Sequence, residues 1–509
     1  MHEFEELVIL YTSDSHCQLF PSFTLNKDFS TQLKWCSTDH PTIVGGFSYL
    51  ATLVKKYREK YPHVLLLDSG DSFSDSMIAN KTKGKLPLIA MNSLHYDAMT
   101  PGNHDIDYGL GQLKKLSKAA KFPLLAANLL DEFTLSPLLG KAYLLKKFHS
   151  TTVAIYGLTY HLTPETTSRK NIKGAKYELD FQKIERDLTE IKKQGVELIL
   201  ILSHLGSEVD EELAKQVKNI DIIIGGHSHD PQPTKIVNGV IIAQTTPYFS
   251  GLGMLKLLLR QGKIVKHKGR IIPILPEKIE PDLKIEQMLN DTRILYENEL
   301  NEVIGYSHSP LVRSYKSESP IDTFIGNVLR KMTRSEISIL PGRGFGLTIP
   351  SGYVTREEIT NFIPHGSKVY KVLLKGKDIL EALEQSILNQ INQDVTKRVG
   401  GLIQITGLNF VYTFSEQINP KISHVYVNGI ALNPEQTYTV VLNQLMYEGG
   451  HQYRSLKKGQ LLTKYQLKDN DMVIYYIKHH SPITVHKEGW SIPLIKTDQK
   501  FTQKTCLPF

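Results

Sequence analysis

Short apolar runs, each followed at once by a small group of polar residues, recur along the first half of the chain. Runs of strand length alternate with stretches in which apolar residues recur every three or four positions, the spacing of one helix face. This pattern predicts strands over residues 7–11, 63–67, 96–100, 123–127, 153–158, 197–202, 220–224, 240–244 and 252–260. It predicts helices over residues 45–60, 86–94, 110–121, 180–194 and 208–217. Such alternation is typical of a layered α/β core, in which ligand-binding loops follow the carboxyl ends of the strands.

A proline-containing segment, residues 273–281, ends this pattern. The chain of 509 residues is too long for one hydrophobic core, since cores stop growing beyond about 250–300 residues. We therefore predict a first domain over residues 1–275, a linker with a helix over 276–302, and a second, mixed α/β domain over 303–509. Its predicted helices are residues 321–333 and 377–388, and its strands are 369–374, 408–414, 424–427 and 438–442. Residues 20–41 lack periodicity, which predicts a surface insertion.

Composition and charge narrow the class of protein. A chain with 41% apolar and 22% charged residues is an ordinary globular protein. The net charge of +8 is dispersed along the sequence, which argues against a nucleic-acid polymer as partner. Three widely spaced cysteines, Cys17, Cys36 and Cys506, indicate neither a disulfide framework nor a zinc site. The acidic start and the lack of an apolar run of about 18 residues predict a cytoplasmic protein without a membrane partner. The oligomeric state stays open.

Five polar clusters at predicted strand ends carry the candidate chemistry. They are Asp14-Ser15-His16, Gly70-Asp71, Asn103-His104-Asp105-Ile106-Asp107, Ser203-His204 and Gly226-His227-Ser228-His229. Taken singly, a strand-end Asp or Asn is most often a turn residue. Five clusters of metal-ligating type within one predicted domain are not explained that way. Their oxygen and imidazole donors suit divalent Mn, Zn, Fe or Co.

A pair of such ions suggests phosphoester hydrolysis. Two metal ions about 3.5–4 Å apart lower the pKa of a bridging water and stabilise charge on the phosphoryl oxygens. The resulting hydroxide attacks phosphorus. We predict that Asp71 bridges the two ions, because an Asp that follows a buried strand and a glycine can approach both.

Other short stretches accompany the clusters: Val44-Gly45-Gly46-Phe47, Leu67-Asp68-Ser69, Asp97-Ala98-Met99-Thr100-Pro101-Gly102, Leu205-Gly206, Gly326-Asn327, Ile363-Pro364 and Gly449-Gly450. In this order, clusters and stretches resemble the 5′-nucleotidase/UDP-sugar hydrolase family of calcineurin-like metallophosphoesterases. The resemblance covers roughly residues 7–455 and is closest in the first domain. It implies a layered metallophosphoesterase β-sandwich flanked by helices, joined through a linking helix to a mixed α/β substrate domain.

The resemblance also implies roles for individual residues. One metal ion would be held by Asp14, His16, Asp71 and His229, and the other by Asp71, Asn103, His204 and His227. His104 would be catalytic without ligating metal, paired with Asp107 three residues later. A carboxylate that orients an imidazole and sustains its positive charge equips it to stabilise the transition state or to assist the leaving oxygen.

The second predicted domain departs from the family pattern where substrate is expected. The family's Gly-Gly-Ile-Arg has no Arg at the matching position here, although Arg343 lies three residues earlier. Its Pro-Phe-Gly-Asn becomes Pro364-His365-Gly366-Ser367, and a second stacking Phe is replaced by Leu445. Both aromatic faces that sandwich a nucleobase in the family are therefore missing. The candidate substrate-binding residues are Arg343, His365, Ser367, Tyr447 and Tyr453.

These inferences predict a hydrolase with two divalent metal ions that acts on small phosphomonoesters, with 5′-nucleotides as one candidate class and nucleotide catabolism as the setting. A phosphodiesterase or pyrophosphatase acting on cyclic nucleotides or nucleotide sugars is the alternative enzyme. A metal-bearing binding module would leave His104 and Asp107 unexplained.

Overall fold

The computed structural model describes residues 4–24, 42–413 and 422–494. The chain divides into two compact units. The first comprises residues 1–312, 344–366 and 474–484, and the second comprises residues 313–343, 367–473 and 485–509. Two segments from the second half of the sequence therefore belong to the first unit.

The strands are β1 (Glu5–Thr12), β2 (Ser22–Thr24), β3 (Thr42–Val44), β4 (Val64–Asp68), β5 (Ala98–Met99), β6 (Leu129–Asp131), β7 (Tyr143–Phe148), β8 (Thr151–Leu158), β9 (Ala175–Tyr177), β10 (Leu198–Ser203), β11 (Ile222–Gly225), β12 (Gln232–Val237), β13 (Val240–Gln244), β14 (Gly251–Arg260), β15 (Lys263–Pro273), β16 (Val303–Ser307), β17 (Ile337–Gly342), β18 (Gly352–Thr355), β19 (Lys368–Lys375), β20 (Gly401–Thr406), β21 (Leu408–Thr413), β22 (Ile422–Val427), β23 (Ile430–Ala431), β24 (Thr437–Asn443), β25 (Gln460–Lys468) and β26 (Ser491–Leu494). The helices are α1 (Phe47–Lys60), α2 (Met77–Thr82), α3 (Lys85–Ser93), α4 (Leu110–Ala119), α5 (Thr163–Thr166), α6 (Phe181–Lys193), α7 (Ser207–Gln216), α8 (Leu283–Arg293), α9 (Glu297–Leu300), α10 (Pro320–Thr333), α11 (Arg356–Phe362), α12 (Gly376–Ile391), α13 (Gln444–Tyr447) and α14 (Asp469–His480).

The first unit is a sandwich of two β-sheets. One sheet has the strand order β15-β14-β1-β4-β5, and the other has the order β12-β13-β11-β10-β8-β7. Strands β1, β4 and β5 run parallel, as do β8, β10, β11 and β13. Because parallel neighbours end at the same edge of a sheet, the loops after these strands are gathered together.

Strand β1 is apolar at nearly every position because both of its faces are buried. Leu7, Ile9 and Tyr11 pack between the two sheets, whereas Val8 and Leu10 face the outer side. That outer side is covered by apolar residues of helices α1, α3, α4 and α8. A strand buried on both faces is apolar throughout rather than alternating.

The second unit is built on a mixed sheet with the order β20-β17-β24-β19-β25. Helix α10 packs against β17 and β20, and helix α12 packs against β19 and β20. Buried residues of the sheet and of helix α12 form one core that includes Ile337, Val440, Leu383 and Ile387. A smaller sheet has the order β23-β22-β21-β26.

The fold class predicted from the sequence is confirmed, including the sandwich, its flanking helices and the second mixed unit. The helix predicted over residues 180–194 is α6, and the Asp180 side chain caps it by accepting hydrogen bonds from the backbone N–H groups of Gln182 and Lys183. The predicted linking helix is divided into α8 and α9. The proposed insertion lies largely outside the described residues, and its flanks pair as β2 and β3.

The prediction of a strand over residues 123–127 is wrong. The Leu125 N–H donates to the Met99 carbonyl of the first sheet, and the Ala127 N–H donates to the Gly157 carbonyl of the second sheet. The segment therefore crosses between the sheets, which buries its apolar residues without a ladder. The strand predicted over residues 96–100 is reduced to the two residues of β5.

The sequence analysis did not predict strand β15, because charged residues are interspersed among its apolar ones. It forms an antiparallel hairpin with β14 at the edge of the first sheet. No helix within the described ranges is both long and apolar enough to cross a lipid bilayer.

Candidate metal centre

Side chains from five loops meet at one edge of the sandwich. Asp14 and His16 follow β1, Asp71 follows β4, and Asn103 follows β5. His204 follows β10 in the other sheet, and His227 and His229 follow β11. The seven residues predicted as ligands are thus placed by strands of both sheets.

Asp14, His16 and His229 form the first group, with donor atoms within 4.8 Å of one another. The Nε2 atoms of His16 and His229 are 3.0 Å apart, and the Nε2 of His229 is 3.5 Å from Asp14 Oδ1. Two imidazole nitrogens this close repel each other unless they share a proton or a cation. The His16 Nδ1 is 2.8 Å from Asp75 Oδ2, an arrangement that leaves Nε2 as the ligating atom.

Asp71, His204 and His227 form the second group. The Nδ1 of His204 donates to the Ser69 carbonyl, while its Nε2 lies 3.1 Å from Asp71 Oδ2. Burial lowers the pKa of His227 to about 3, so this imidazole is in the neutral form that binds metal. The two groups contain six of the seven residues that the resemblance implies as ligands, and Asp71 belongs to the second group only.

Two buried atoms test whether metal ions fit this site. Oδ1 of Asn103 makes no hydrogen bond within the described part of the chain, and Nε2 of His204 lies 3.1 Å from Asp71 Oδ2 without the geometry of a hydrogen bond. A buried polar atom without a partner costs about 1–3 kcal/mol. Both atoms are ligand donors for divalent ions, so the residues present fit such ions.

Asp71 belongs to the second group and is buried. The backbone N–H of His104 donates to its Oδ1 at 2.7 Å. Burial raises the pKa of Asp71, but the imidazoles of His204 and His104 outweigh burial and hold that pKa well below its usual range. The carboxylate is therefore charged, as the bridging role predicted for it requires.

Sequence analysis assigned no role to Asp105, whose carboxylate fixes the loops that follow β4 and β5. Asp105 is buried and accepts hydrogen bonds from the backbone N–H groups of Asp71, Ser72, Phe73 and Gly102. It thereby holds the loops after β4 and β5 together. Its position between His104 and Asp107 was the only signal in the sequence.

Five of the predicted ligands have a left-handed backbone. The φ angles are 51° for Asp14, 46° for His16, 56° for Asp71, 74° for His227 and 56° for His229. Asp and His tolerate this region better than most residues do. Such strain persists only where the surrounding structure imposes it, and it is concentrated at functional sites.

Gly102 allows the closest approach in the site. A Cβ atom there would lie 2.1 Å from Asp71 Oδ1 and 2.6 Å from His204 Cε1. We expect Gly102→Ala to displace Asp71, to weaken metal binding about 10–100-fold and to lower the free energy of unfolding by about 1–3 kcal/mol. Metal titration and urea unfolding measure the two effects.

Gly111→Ala is the matched control. Gly111 lies in helix α4, and an added Cβ meets nothing within 4 Å. We expect this change to leave metal affinity intact and stability equal or higher, because alanine favours a helix by about 1 kcal/mol over glycine. Normal metal affinity in Gly102→Ala would contradict the tight approach.

His104 and Asp107 lie beside the second group. Nδ1 of His104 is 2.8 Å from Asp107 Oδ2, and Asp107 Oδ1 accepts a hydrogen bond from Thr167 Oγ1. Burial lowers the pKa of His104, but Asp75, Asp107 and Asp71 together raise it well above its usual range. The imidazole therefore carries positive charge, as the predicted catalytic role requires.

Phe345 was also missed by sequence reasoning. Its ring stacks on His16 at a centroid distance of 5.5 Å and meets His104 edge-on at 4.9 Å. It belongs to residues 342–346, whose glycines suggest only a turn. Its buried ring therefore contacts both the imidazole of His16, a predicted metal ligand, and that of His104, the predicted catalytic residue.

The comparisons with known proteins agree with this geometry. The family model for calcineurin-like phosphoesterases matches residues 7–231, and the model for the C-terminal domain of 5′-nucleotidases matches residues 303–458. The chain belongs to the 5′-nucleotidase family of calcineurin-like metallophosphoesterases. Members of this family are metal-dependent phosphoric ester hydrolases, and this protein is such an enzyme.

Three similar proteins illustrate the relationship. The snake venom 5′-nucleotidase of Crotalus adamanteus is 27% identical over 95% of this chain and 88% of its own length. The trifunctional nucleotide phosphoesterase YfkN of Bacillus subtilis is 29% identical over 79% of this chain, which spans only 31% of that longer protein. The solved structure of a 5′-nucleotidase precursor from Thermus thermophilus is 25% identical, with a TM-score of 0.85 over 97% of this chain and 100% of its own.

The residues predicted to bind substrate in this 5′-nucleotidase family member have different surroundings. Arg343 lies 3.9 Å from Asp469, and the Ser367 N–H donates to Asp469. Tyr447 stacks on Tyr370, and Tyr453 is fully buried in the core of the second unit. His365 belongs to the first unit and lies beside Asp107. Their substrate-binding roles stay predictions.

Proposed function

We propose that this chain hydrolyses small phosphomonoesters, 5′-nucleotides among them, with two divalent metal ions. The ions would be held by the seven residues of the candidate metal centre, with Asp71 shared. The observation that supports this proposal is the convergence of both metal groups at one edge of the sandwich, with the His104–Asp107 pair beside them. The number and identity of the ions belong to the proposal.

When bound, divalent ions acidify an attacking water and neutralise charge on the phosphoryl oxygens. The side chains of the protein supply the rest of the chemistry. His104 is oriented by Asp107 through Nδ1, and its Nε2 has no hydrogen-bond partner among the described residues. That N–H is free to stabilise charge on the phosphoryl group or on the leaving oxygen.

A comparison of phosphomonoester substrates tests how strongly the protein prefers nucleotides. Two aromatic faces, each contributing about 0.5–1.5 kcal/mol beyond its buried area, are replaced here by His365 and Leu445. We expect kcat/KM for AMP to exceed that for ribose 5-phosphate by no more than about tenfold, or 1.4 kcal/mol. The comparison uses equally metal-loaded protein, with an aryl phosphate as the substrate without a sugar.

An aryl phosphodiester in the same assay tests the alternative enzyme class. A diester preferred over all monoesters would contradict the proposed function. A preference for AMP of about a thousandfold or more, roughly 4 kcal/mol, would show that base recognition has been rebuilt from other residues.

A further inference from the structure

A second group of imidazoles and carboxylates adjoins the candidate metal centre. Asp75, His104, Asp107 and His365 place their donor atoms within 4.8 Å of one another, and we call them the imidazole–carboxylate cluster. Sequence analysis singled out His104 and Asp107 as a pair and assigned no role to Asp75. The structure adds both Asp75 and His365 to that pair.

The two rings of the cluster are held in equivalent ways. The Nδ1 of His104 is 2.8 Å from Asp107 Oδ2 and 3.3 Å from Asp75 Oδ2. The Nε2 of His365 is 2.9 Å from Asp75 Oδ1 and 3.4 Å from Asp107 Oδ2. Each ring therefore uses one nitrogen to reach the same two carboxylates.

The rings also lie parallel. Their planes differ by 7° and their centroids are 5.5 Å apart. Within the described ranges, the second nitrogen of each ring, Nε2 of His104 and Nδ1 of His365, has no hydrogen-bond partner. Asp75 and Asp107 pair with Nε2 of His365 and favour the protonated form of this ring, so its Nδ1–H can donate to an anion.

Exposure is graded across the cluster. The side chain of Asp75 is fully buried, that of His104 is 16% exposed, and that of His365 is 34% exposed. The carboxylates thus lie inside and the rings reach outward. Next to His365, the Pro364 carbonyl accepts a hydrogen bond from Asn80, which fixes this loop to the first unit.

We propose that His365 is a second phosphate-binding imidazole, which donates a hydrogen bond to a non-bridging phosphoryl oxygen beside the one that His104 contacts. This proposal rests on the proposed hydrolase function. A phosphomonoester has two negative charges and three non-bridging oxygens, whereas a diester has one charge and two such oxygens. A second cationic donor therefore favours monoesters, and His365 determines specificity for the substrate class rather than for a base.

A third divalent ion is the competing occupant of the cluster, because two imidazoles and two carboxylates can ligate one. Each short contact in the cluster pairs an imidazole nitrogen with a carboxylate oxygen at 2.8–3.4 Å, and the contact of His104 Nδ1 with Asp107 Oδ2 is a hydrogen bond. The number of metal ions per chain separates the two occupants.

The test compares His365→Ala and His365→Gln with the unaltered full-length protein, all loaded with the same metal. His308→Ala is the control, because His308 is an exposed histidine of the same unit. Three quantities are measured: metal ions per chain, binding of inorganic phosphate by calorimetry, and kcat and KM for an aryl phosphomonoester and an aryl phosphodiester.

We expect His365→Ala to keep the metal content of the unaltered protein and to bind phosphate about 10–100-fold more weakly, the range for a lost hydrogen bond to a charged group. Its kcat/KM for the monoester falls by a similar factor, while that for the diester changes by less than about threefold. His365→Gln retains an N–H donor and recovers part of both losses. His308→Ala matches the unaltered protein.

Three results would overturn the proposal. Loss of one ion per chain in His365→Ala assigns the cluster to a third metal. Unchanged phosphate binding removes the proposed contact, and equal losses for monoester and diester remove the specificity. If the unaltered protein hydrolyses neither ester, the proposed function fails, while the phosphate-binding comparison still decides the role of His365.

Discussion

Replacing Asp71 by asparagine is expected to abolish most of the activity and to release at least one metal ion. Asp71 is a buried member of the second group, 3.1 Å from His204 Nε2, and a neutral amide bridges two cations poorly. Loss of several kcal/mol of charge stabilisation corresponds to a fall in kcat on the order of 10³-fold or more. Metal analysis of the purified variant and its kcat on an aryl phosphate measure both effects.

Asp97→Asn is the matched control. Asp97 accepts a hydrogen bond from the Leu66 N–H and pairs with Lys146, away from the predicted ligands, and an asparagine oxygen can still accept from Leu66. We expect normal metal content and near-normal turnover. Two bound ions together with near-normal turnover in Asp71→Asn would refute the bridging role.

Removing the imidazole of His104 should separate catalysis from metal binding. His104→Ala is expected to keep its full metal content and to lose about 10²–10⁴ in kcat, the scale for a positioned acid or cationic group. The reason is that Nδ1 of His104 is held by Asp107 and Asp75, and His104 is a member of neither metal group. Metal content and single-turnover rates are the measurements.

His63→Ala removes an imidazole outside the site, where the ring packs edge-on against Phe148. Its activity should stay within a few-fold of the unaltered protein, which controls for the general effect of losing a histidine. If His104→Ala instead loses an ion, a ligand has been mistaken for the catalytic imidazole.

The sequence was informative wherever a single strand determines position. His204 and His227 could be predicted as neighbours because they follow parallel strands of one sheet, as Asp14 and Asp71 do in the other, and parallel strands end at a common edge. The strands of the sandwich were visible for the same reason, since burial on both faces leaves near-continuous apolar runs.

Positions set by tertiary contacts could not be inferred. Asp75 lies in a loop without periodicity, and its role depends on His16 and His365, which are distant in the sequence. Tyr453, predicted to bind substrate, is fully buried in the second unit. Nothing local to residues 344–366 indicates that they belong to the first unit.

The division of each metal group between the two sheets has a consequence for how the protein matures. Asp14 and Asp71 come from the first sheet, whereas His204, His227 and His229 come from the second. His16 and His229 are 213 positions apart, so a nascent chain that has not yet released residue 229 from the ribosome cannot complete the first group. If these residues bind metal as predicted, binding at the first group would follow synthesis of residue 229 and packing of the two sheets.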